Sequence, residues 1–427
     1  MKIHFIGIGG IGISALAQYY LAKDHKVKGS DLVFSEVIEK LEEFGIKVIL
    51  GPHRAENIDK DTELVIHSPA VQKDNPEFEK AKELNIKILS YPQALGELTK
   101  EYFTIAVSGT HGKSTTSSMI ALTLIEAGFD PTVIIGTKLK EFNDNNFRIG
   151  KSKYLIIEAD EWQASFLNYN PDIIVLTNIE EEHLDYYKDL DHILDTYKKY
   201  ISNLKDNGLI IANKDDNNIS KVVENFKPYS LEQPEADKLN LKIPGKHNIY
   251  DALACLETAR SLDIPDDVSF KVLSNFKGSW RRFEIKNVEF NNKPLTLISD
   301  YAHHPTEIEA TLKAARQGFP DKKIWCVFQP HQYQRTHFLF NNFVKVFSES
   351  LIDKVIITDI FDVAGREKGE IKDKTDSRDL VKKINKSDVQ YLAKEKIKDY
   401  LKDSLRGEEV VIIMGAGDVY KLLESIN

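Results

Sequence analysis

The sequence has few of the features that mark secreted or membrane-spanning proteins. Its 427 residues include only two cysteines, Cys255 and Cys326, and both lie in apolar surroundings without disulfide or metal-ligand spacing. We therefore expect reduced thiols buried in a core. No apolar stretch approaches the roughly 18 residues that a membrane span requires. These absences predict a cytoplasmic protein that does not enter a membrane.

Basic residues are also in the minority. The chain has 57 Lys and Arg against 66 Asp and Glu, a formal net charge of -9. This balance argues against the broad basic surface typical of nucleic-acid-binding proteins. Any anionic ligand must therefore be held by local groups, and the oligomeric state stays open.

Short apolar runs alternate with longer stretches of helical spacing along the whole chain. The runs are KIHFIG, ELVIHS, FTIAVSG, YLIIEAD, DIIVLTN, GLIIAN, LTLISD, KIWCVFQ, KVIITD and EEVVIIMG. Near-continuous apolar strands of this kind are typical of parallel sheets covered on both faces, so the fold class is α/β. Ligands of such sheets bind beyond the carboxyl ends of the strands, where this sequence concentrates Gly, Asp, Glu, His and Asn.

Two polar connections divide the chain into three parts. SYPQALGELTK (90–100) and SWRRFEIKNVEFNNKPL (279–295) each separate one series of strands from the next. They predict domains over residues 1–99, 100–284 and 285–427, in keeping with roughly 150 residues per domain.

The first strand runs into a glycine-rich turn. Gly7, Gly9 and Gly12 have the spacing that brings backbone amides and a helix N-terminus close to a diphosphate, and Asp31 follows at the distance of a ribose contact. The pattern predicts a diphosphate site without naming the attached base. NAD is the simplest occupant, and a tight turn without a ligand is the alternative.

A second glycine-rich loop, VSGTHGKSTTSSM (107–119), follows the strand that begins at Phe103. Gly109, Gly112, Lys113 and Ser114 offer backbone amides, an ammonium and a hydroxyl at the start of a helix, all of which attract phosphate oxygens. The loop lacks the four-residue spacing of the usual P-loop. A nucleoside triphosphate is the ligand that it indicates.

Acidic and imidazole side chains end the two strands that come next. Glu158, Asp160 and Glu161 follow YLII, and Asn178, Glu182 and His183 follow IIVL. Beside a Lys-Ser phosphate loop, these groups could hold Mg²⁺ between ATP oxygens and a second anion, with Ser114 as a hydroxyl ligand. The arrangement favours phosphoryl transfer. Each carboxylate alone could equally be a helix cap or a solvated group.

The last third of the chain carries further cationic and imidazole groups. GKHN opens a helix with His247 and Asn248, and SDYAHHPTE places Asp300 and His304 between a strand and a helix. Arg282 could reach a phosphate, although Arg281 and Arg282 could instead pack on neighbouring aromatic rings. Arg335 in FQPHQYQRT would join a cationic rim.

Eight segments together resemble the Mur ligases in order and spacing, over essentially the whole chain. They are GIGGIG, SGTHGKST, EADE, TNIEEEHLDYY, GKHN, RRFE, DYAHHPTE and FQPHQYQRT. The resemblance implies a Rossmann-like N-terminal domain that binds a UDP-sugar, a central P-loop ATPase-type domain and a C-terminal Rossmann-like domain that closes on ATP and the amino acid. It thereby replaces NAD with a UDP-sugar at the first loop.

The resemblance also implies roles for individual residues. ATP would contact Ser108, Gly109, Thr110, His111, Gly112, Lys113, Ser114, Thr115, His247, Asn248, Arg282 and Asp300. The sugar nucleotide and amino acid would contact Gly7, Gly9, Gly10, Ile11, Gly12, Asp31, Ser68, His304 and Arg335. Mg²⁺ would be bound by Ser114, Glu158 and His183, and the catalytic set would be Lys113, Glu158, Asn178 and His183.

The implied activity is ATP-dependent ligation of L-alanine to UDP-N-acetylmuramate through an acyl phosphate, in peptidoglycan precursor synthesis. Gln332 stands where many relatives carry arginine, and Trp162 and Gln163 stand where serine and aspartate are usual. A sister ligase that adds a preformed peptide to the same sugar nucleotide is therefore an alternative. The GIGGIG turn taken alone would also suit a nucleotide-sensing, NAD-binding module.

Overall fold

The computed structural model describes residues 1–184, 186–290, 292–362 and 369–425. The chain forms two compact units, one of Met1–Leu239 with Tyr250–Ser274 and one of Asn240–Ile249 with Asn275–Asn427. Each of the ten apolar runs contains a strand, which confirms the α/β class. Within the described ranges, no helix is long and apolar enough to cross a membrane.

The first unit begins with a five-stranded, all-parallel sheet. Its strands are β1 (Lys2–Ile6), β2 (Lys26–Asp31), β3 (Lys47–Leu50), β4 (Leu64–His67) and β5 (Lys87–Ser90), in the order β3-β2-β1-β4-β5. The helices are α1 (Ile11–Ala22), α2 (Glu36–Glu43), α3 (Pro76–Glu83) and α4 (Tyr91–Glu101), with a 3-10 turn at Ala55–Asn57. The strand order reverses between β1 and β4, which is where ligands of open α/β sheets bind. The GIGGIG turn directly follows β1 at this point.

Helix starts in this region follow from local sequence. Ser90 and Gln93 form a capping box, because Ser90 Oγ accepts from the Gln93 amide at 3.4 Å and Gln93 Oε1 accepts from the Ser90 amide at 2.9 Å. Ser35 caps α2 by accepting from the Ile38 amide. The β2–α2 and β5–α4 connections are therefore short and well defined.

A seven-stranded sheet forms the rest of the first unit. Its strands are β6 (Phe103–Ser108), β7 (Thr132–Leu139), β8 (Asn145–Arg148), β9 (Tyr154–Ala159), β10 (Ile173–Leu176), β11 (Leu209–Asn213) and β12 (Lys227–Tyr229). The order is β12-β11-β10-β6-β9-β7-β8, and only β7 and β8 pair antiparallel. The helices are α5 (Lys113–Glu126), α6 (Leu190–Ile201), α7 (Lys246–Arg260) and α8 (Asp266–Asn275), with 3-10 turns at Lys140–Phe142, Trp162–Asn168 and Ile219–Lys221. The division between the two units falls within α7, so its residues 246–249 belong to the second unit.

Strand β6 lies between β9 and β10, and this order positions the central motifs. Ser108 at the end of β6 is in register with Ala159 of β9 and with Leu176 of β10. The carboxyl ends of the three strands therefore meet at one edge. The glycine-rich loop, the EADE segment and the TNIEEEHLD segment leave the sheet side by side.

The second unit is built on a six-stranded sheet in the order β13-β14-β18-β15-β16-β17. Its strands are β13 (Glu284–Phe290), β14 (Lys293–Asp300), β15 (Ile324–Phe328), β16 (Lys354–Ile357), β17 (Val389–Tyr391) and β18 (Val410–Met414). The helices are α9 (Pro305–Gly318), α10 (Tyr333–Phe338), α11 (Phe340–Glu349), α12 (Gly369–Lys372), α13 (Ser377–Ile384) and α14 (Lys394–Ser404), followed by a 3-10 segment at Val419–Ser425. Met414 of β18 is in register with Asp300 and Phe328, so the DYAHH, FQPHQ and GAGD segments share one edge.

Both cysteines are fully buried and form no disulfide, which confirms the prediction of core thiols. Burial raises the pKa of Cys255 to about 12, so its thiol stays protonated at neutral pH.

A buried carboxylate ties the elements of the first sheet together. Glu77 of α3 is fully buried and accepts four side-chain hydrogen bonds, from His4 at 2.8 Å, Ser30 at 2.8 Å, His53 at 2.9 Å and Asn57 at 2.7 Å. Burial acts to raise the pKa of Glu77, but the hydrogen bonds from His4 and His53 outweigh it and hold the pKa well below its usual value. Glu77 is therefore an ionised group that links β1, β2 and the 3-10 turn to α3.

We expect Glu77→Gln to weaken this sheet, because it removes the charge and leaves at least one buried donor without an acceptor. The local free energy of opening should fall by about 2–4 kcal/mol. Hydrogen exchange of β1 amides at pH 7 should accordingly be roughly 30- to 1,000-fold faster.

Glu79→Gln on the exposed side of the same helix is the control and should change β1 exchange less than about threefold. The contribution of Glu77 is complete above the unfolded carboxyl pKa of about 4.3 and is lost as the pH falls toward the folded value. The difference between Glu77→Gln and the native chain should therefore shrink at pH 3. Equal exchange of β1 amides in Glu77→Gln and Glu79→Gln at pH 7 would contradict the role of Glu77 as an ionised, buried acceptor.

Candidate active site

The glycine-rich loop between β6 and α5 takes a conformation that requires glycine. Gly112 has a φ of +83° and is the N-cap residue of α5, and as a glycine it has no side chain with which to cap the first turn. A Cβ at Gly112 would run into the carboxylate of Asp251, which accepts from Thr116 Oγ1 at 3.0 Å. Asp251 thus lies directly behind the loop.

Asn178 and Thr177 at the end of β10 hold the loop from behind. Asn178 Oδ1 accepts from the His111 amide at 2.9 Å, and its Nδ2 donates to the His111 carbonyl at 3.1 Å. Thr177 Oγ1 donates to the same carbonyl at 2.6 Å. Asn178 therefore contacts the backbone of the loop, and this geometry suits a positioning role.

Lys113 is the cation of the site. Its Nζ lies 2.6 Å from the Gly109 carbonyl and 2.9 Å from Glu161 Oε2, and its side chain is 15% exposed. Burial acts to lower the pKa of Lys113, but the charges of Glu161 and Asp160 outweigh it and raise the pKa above its usual value. The ammonium stays charged at the mouth of the loop.

Glu161 combines burial with an unused oxygen. Its side chain is 3% exposed, and Oε1 is buried without a hydrogen-bond partner in the described part of the chain. His183 Nε2 lies 3.9 Å from that oxygen, and ligand atoms of Asp160, Glu161 and His183 all lie within 4.8 Å of one another. Burial raises the pKa of Glu161, and the nearby Lys113 charge opposes this. A buried oxygen of this kind is a natural position for a cation.

Ser114 and Glu158 form a second pair. Ser114 Oγ donates to Glu158 Oε2 at 3.0 Å, and Glu158 Oε1 accepts from the Gly136 amide at 2.6 Å. The three predicted metal ligands thus fall into two groups: Ser114 contacts Glu158, whereas His183 lies beside Glu161 and Asp160.

These donors fit a hard divalent cation. Carboxylate and hydroxyl oxygens are the ligands that Mg²⁺ prefers, and it commonly takes one or two protein carboxylates together with substrate phosphates. The unused Oε1 of Glu161 supplies one such carboxylate beside the phosphate loop. The assignment of Mg²⁺ to these residues remains a prediction.

At the first sheet, the predicted substrate residues lie around the turn after β1. The Gly9 amide donates to Asp31 Oδ2 at 2.8 Å, and Ser68 Cβ lies close to Gly7. Gly10 is the N-cap residue of α1 and makes no side-chain cap hydrogen bond. The structure therefore brings the turn, Asp31 and Ser68 together at the switch point of the sheet.

The predicted residues of the second unit have well-defined local partners. Asp300 is buried and accepts from the amides of Phe283 at 2.8 Å and Ala302 at 2.7 Å. Burial raises the pKa of Asp300. His304 caps α9 through Nδ1, which accepts from the Thr306 amide at 3.3 Å. Asp300 and His304 thus stabilise the backbone of the DYAHH segment.

The two adjacent arginines behave differently. Arg281 is buried, and its Cζ lies 4.3–5.4 Å from the ring centroids of Trp280, Tyr301 and Tyr420. Of the two alternatives for this residue, packing on aromatic rings is therefore confirmed. Arg282 lies 5.0 Å from the Tyr301 ring and 3.6 Å from Glu307.

The other predicted residues of this unit are on helix starts. Asn248 Nδ2 donates to the Pro244 carbonyl at 2.6 Å in the first turn of α7, where His247 also lies. Arg335 donates to the His331 carbonyl at 3.1 Å in α10, whose N-cap residue is Gln332 with a φ of +73°.

Three residues of the site were missed in the sequence. Asp251 and Thr177 contact the loop from distant positions, and Gly136 binds Glu158 from a strand without a motif. No sequence spacing predicts such contacts, because they depend on the order of the strands in the sheet.

Three family models match successive parts of the chain. They are described as Mur ligase family, catalytic domain (residues 2–103), Mur ligase middle domain (residues 107–235) and Mur ligase, glutamate ligase domain (residues 281–417).

The chain is also similar to curated relatives over nearly its whole length. The UDP-N-acetylmuramate–L-alanine ligase of Acetivibrio thermocellus is 43% identical over 99% of this chain and 94% of its own length. The protein of the same name from Clostridium tetani is 39% identical over 98% of this chain and 96% of its own length.

Solved structures have the same architecture. The UDP-N-acetylmuramate-alanine ligase of Thermotoga maritima superimposes with a TM-score of 0.83 at 28% identity, over 100% of this chain and 98% of its own. A murein peptide ligase of Psychrobacter arcticus gives a TM-score of 0.74 at 22% identity, over 100% of this chain and 98% of its own, which is a likeness of fold. With three family domains matched in order and close relatives aligned from end to end, the chain belongs to the Mur ligase family.

Proposed function

We propose that this chain joins L-alanine to UDP-N-acetylmuramate with ATP as the energy source, in peptidoglycan precursor synthesis. The observation that carries the proposal is the pairing of two anion-binding turns in one compact unit. One turn follows β1 at the switch point of the first sheet, and the other, with Lys113 and Glu161, follows β6 of the second. The names of the full-length relatives support the same activity.

The chemistry proceeds in two displacements. A lactyl carboxylate oxygen attacks the γ-phosphorus of ATP, the bond from that phosphorus to the bridging oxygen breaks, and ADP leaves. The alanine amine then attacks the acyl carbon of the acyl phosphate and loses a proton, and the bond from that carbon to the phosphate oxygen breaks. The products are an amide, ADP and phosphate.

Lys113 and the loop amides act on the first step. Two anions must approach each other, so a fixed positive charge on the phosphate oxygens lowers the repulsion between them. Lys113 stays charged because acidic neighbours raise its pKa. Asn178 accepts from the His111 amide and Asp251 accepts from Thr116 Oγ1, and these contacts fix the conformation of the loop.

Mg²⁺ is the cofactor that the acidic groups suit. We assign it to Glu161, Asp160 and His183, with Ser114 and Glu158 as the neighbouring pair. When bound there, the ion would neutralise charge on the transferring phosphate.

Roles for residues of the second unit rest on the family resemblance. His247 and Asn248 would contact adenine, Arg282 the phosphates and Asp300 the ribose or phosphate. His304 and Arg335 would face the amino acid and the muramoyl group. These assignments, like the domain boundaries at residues 99 and 284, remain predictions.

The two alternatives have less support. A peptide-adding ligase was suggested by Gln332 and Trp162, but the full-length relatives carry the name of an alanine ligase. The GIGGIG turn alone suggests an NAD-binding module, but this alternative does not account for the glycine-rich loop after β6.

A phosphate-release assay tests the activity directly. With ATP, Mg²⁺ and UDP-N-acetylmuramate present, we expect L-alanine to give the highest turnover in a screen of amino acids. Replacing alanine by the tripeptide L-alanyl-γ-D-glutamyl-meso-diaminopimelate should give little or none. Turnover with the tripeptide alone would establish the peptide-adding alternative, and the absence of phosphate release with every acceptor would refute ligation.

Lys113→Met should lower kcat by roughly 10²- to 10³-fold, because it removes the charge nearest the loop. The control is Lys100→Met on an exposed helix, which should stay within about twofold of the native rate. Circular dichroism would confirm that both variants are folded, since Lys113→Met also leaves Glu161 without its counter-charge. A folded Lys113→Met protein with native kcat would exclude the role.

Dependence on Mg²⁺ distinguishes the two donor groups. If Glu161 holds the ion, Glu161→Gln should raise the Mg²⁺ concentration for half-maximal rate at least about tenfold, and Glu158→Gln should raise it less. Exposed Glu97→Gln should leave it unchanged. A larger increase in Glu158→Gln than in Glu161→Gln would assign the ion to Ser114 and Glu158. An unchanged Mg²⁺ requirement in all three variants would show that neither pair binds the ion.

A further inference from the structure

The hairpin formed by β7 and β8, residues 132–148, belongs to the second sheet but contacts helices of the first. Asn146 is 3% exposed, and its Nδ2 donates to the carbonyl of Ile11 and to Ser14 Oγ at 3.2 Å. Its Oδ1 accepts from Gln18 Nε2 at 3.3 Å, and Asn145 donates to Gln18 Oε1 at 2.7 Å. The amide of Asn146 is thus fully used on α1.

Two further contacts extend this junction. Lys138 Nζ lies 3.0 Å from Glu36 Oε2 in the first turn of α2. Phe147 packs edge-on against Tyr19 of α1, with ring centroids 6.5 Å apart. The hairpin therefore contacts the first turns of α1 and α2, the helices that follow β1 and β2 of the five-stranded sheet.

The other end of the hairpin contacts the candidate active site. Pairing of β7 with β8 shifts register between Ile134 and Leu139, and Gly136 lies in this interval. Its amide donates to Glu158 Oε1 at 2.6 Å, and a Cβ at this position would lie 3.0 Å from Glu158 Oε2. One short element thus contacts both the helix after the GIGGIG turn and the partner of Ser114.

We propose that Asn146 is a positioning residue that sets the distance between the diphosphate turn and the phosphate loop. Ile11, whose carbonyl it binds, is the first residue of α1 and directly follows the GIGG turn. If a nucleotide sugar is anchored by its diphosphate at that turn, its carboxylate can reach ATP only when the two sheets are held at a fixed separation. Misplacement by about 1 Å can cost on the order of 10²-fold in rate.

This inference rests on the proposed function for its kinetic consequence, but its structural part is measurable without turnover. Asn146→Ala removes every contact of the amide with α1. Arg148→Met is the matched control, because Arg148 lies in the same hairpin and bonds Asp130 and the Pro131 carbonyl at 2.5 and 2.7 Å, away from α1.

Hydrogen exchange of residues 9–16 should be at least about tenfold faster in Asn146→Ala and unchanged in Arg148→Met. Equal exchange in both would overturn the inference whatever the enzyme does.

In the phosphate-release assay, Asn146→Ala should lower kcat roughly 10- to 100-fold. The dissociation constant for ATP alone should stay within about threefold of the native value, since the phosphate loop is untouched. Arg148→Met should keep kcat within about twofold. A kcat loss shared equally by both variants would show a merely structural role and overturn the proposal.

Lys138→Met serves as the second variant if Asn146→Ala fails to fold, because it removes the contact with α2 from a partly exposed position. It should lower kcat several-fold with an unchanged ATP dissociation constant, and a native kcat would overturn the proposal. If the native chain releases no phosphate with any acceptor, the proposed function fails, and the exchange measurement alone decides the role of Asn146.

Discussion

The ion pair between Lys113 and Glu161 is the interaction on which the candidate site depends. Both groups are largely buried, and a buried charge is tolerated only when an opposite charge and hydrogen bonds compensate for lost solvation. Lys113 has that compensation from Glu161 Oε2 and the Gly109 carbonyl, while Glu161 Oε1 faces His183. If a phosphate contacts Lys113 and a cation contacts Glu161, each charge keeps a counter-charge. The site can then take up two ligands of opposite sign without leaving either residue unpaired.

The architecture explains why these groups meet. β6 has β9 and β10 as neighbours, so three loops that are far apart in the sequence leave the sheet at one edge. The phosphate loop comes from β6, the acidic EADE segment from β9, and Asn178 with His183 from the loop after β10. The strands are buried runs of nearly continuous Val, Ile and Leu, and polar residues follow at their carboxyl ends. The same division between apolar strands and polar loops recurs in the first and third sheets.

Much of this arrangement could be predicted from the sequence, and the limits are physical. Strands and their polar ends are local features, so the α/β class, the burial of Cys255 and Cys326 and the two glycine-rich turns after β1 and β6 could be predicted, whereas the binding of anions at these turns stays a prediction. For Arg281, the sequence left aromatic packing and contact with a phosphate as equal alternatives, and only the structure shows that it packs on three rings. The loop-bracing contacts of Asn178 and Asp251 and the grouping of His183 with Glu161 depend on strand order and side-chain direction. Such contacts join residues that no local pattern relates.

A crystal structure with a non-hydrolysable ATP analogue and Mn²⁺, located by its anomalous signal, tests the central claim most directly. The account predicts phosphate oxygens within hydrogen-bond distance of Lys113 Nζ, the triphosphate at the N-terminus of α5, and the metal on the carboxylate of Glu161. A nucleotide bound away from the loop, or a metal remote from Glu161 with Lys113 still paired to that residue, would contradict it.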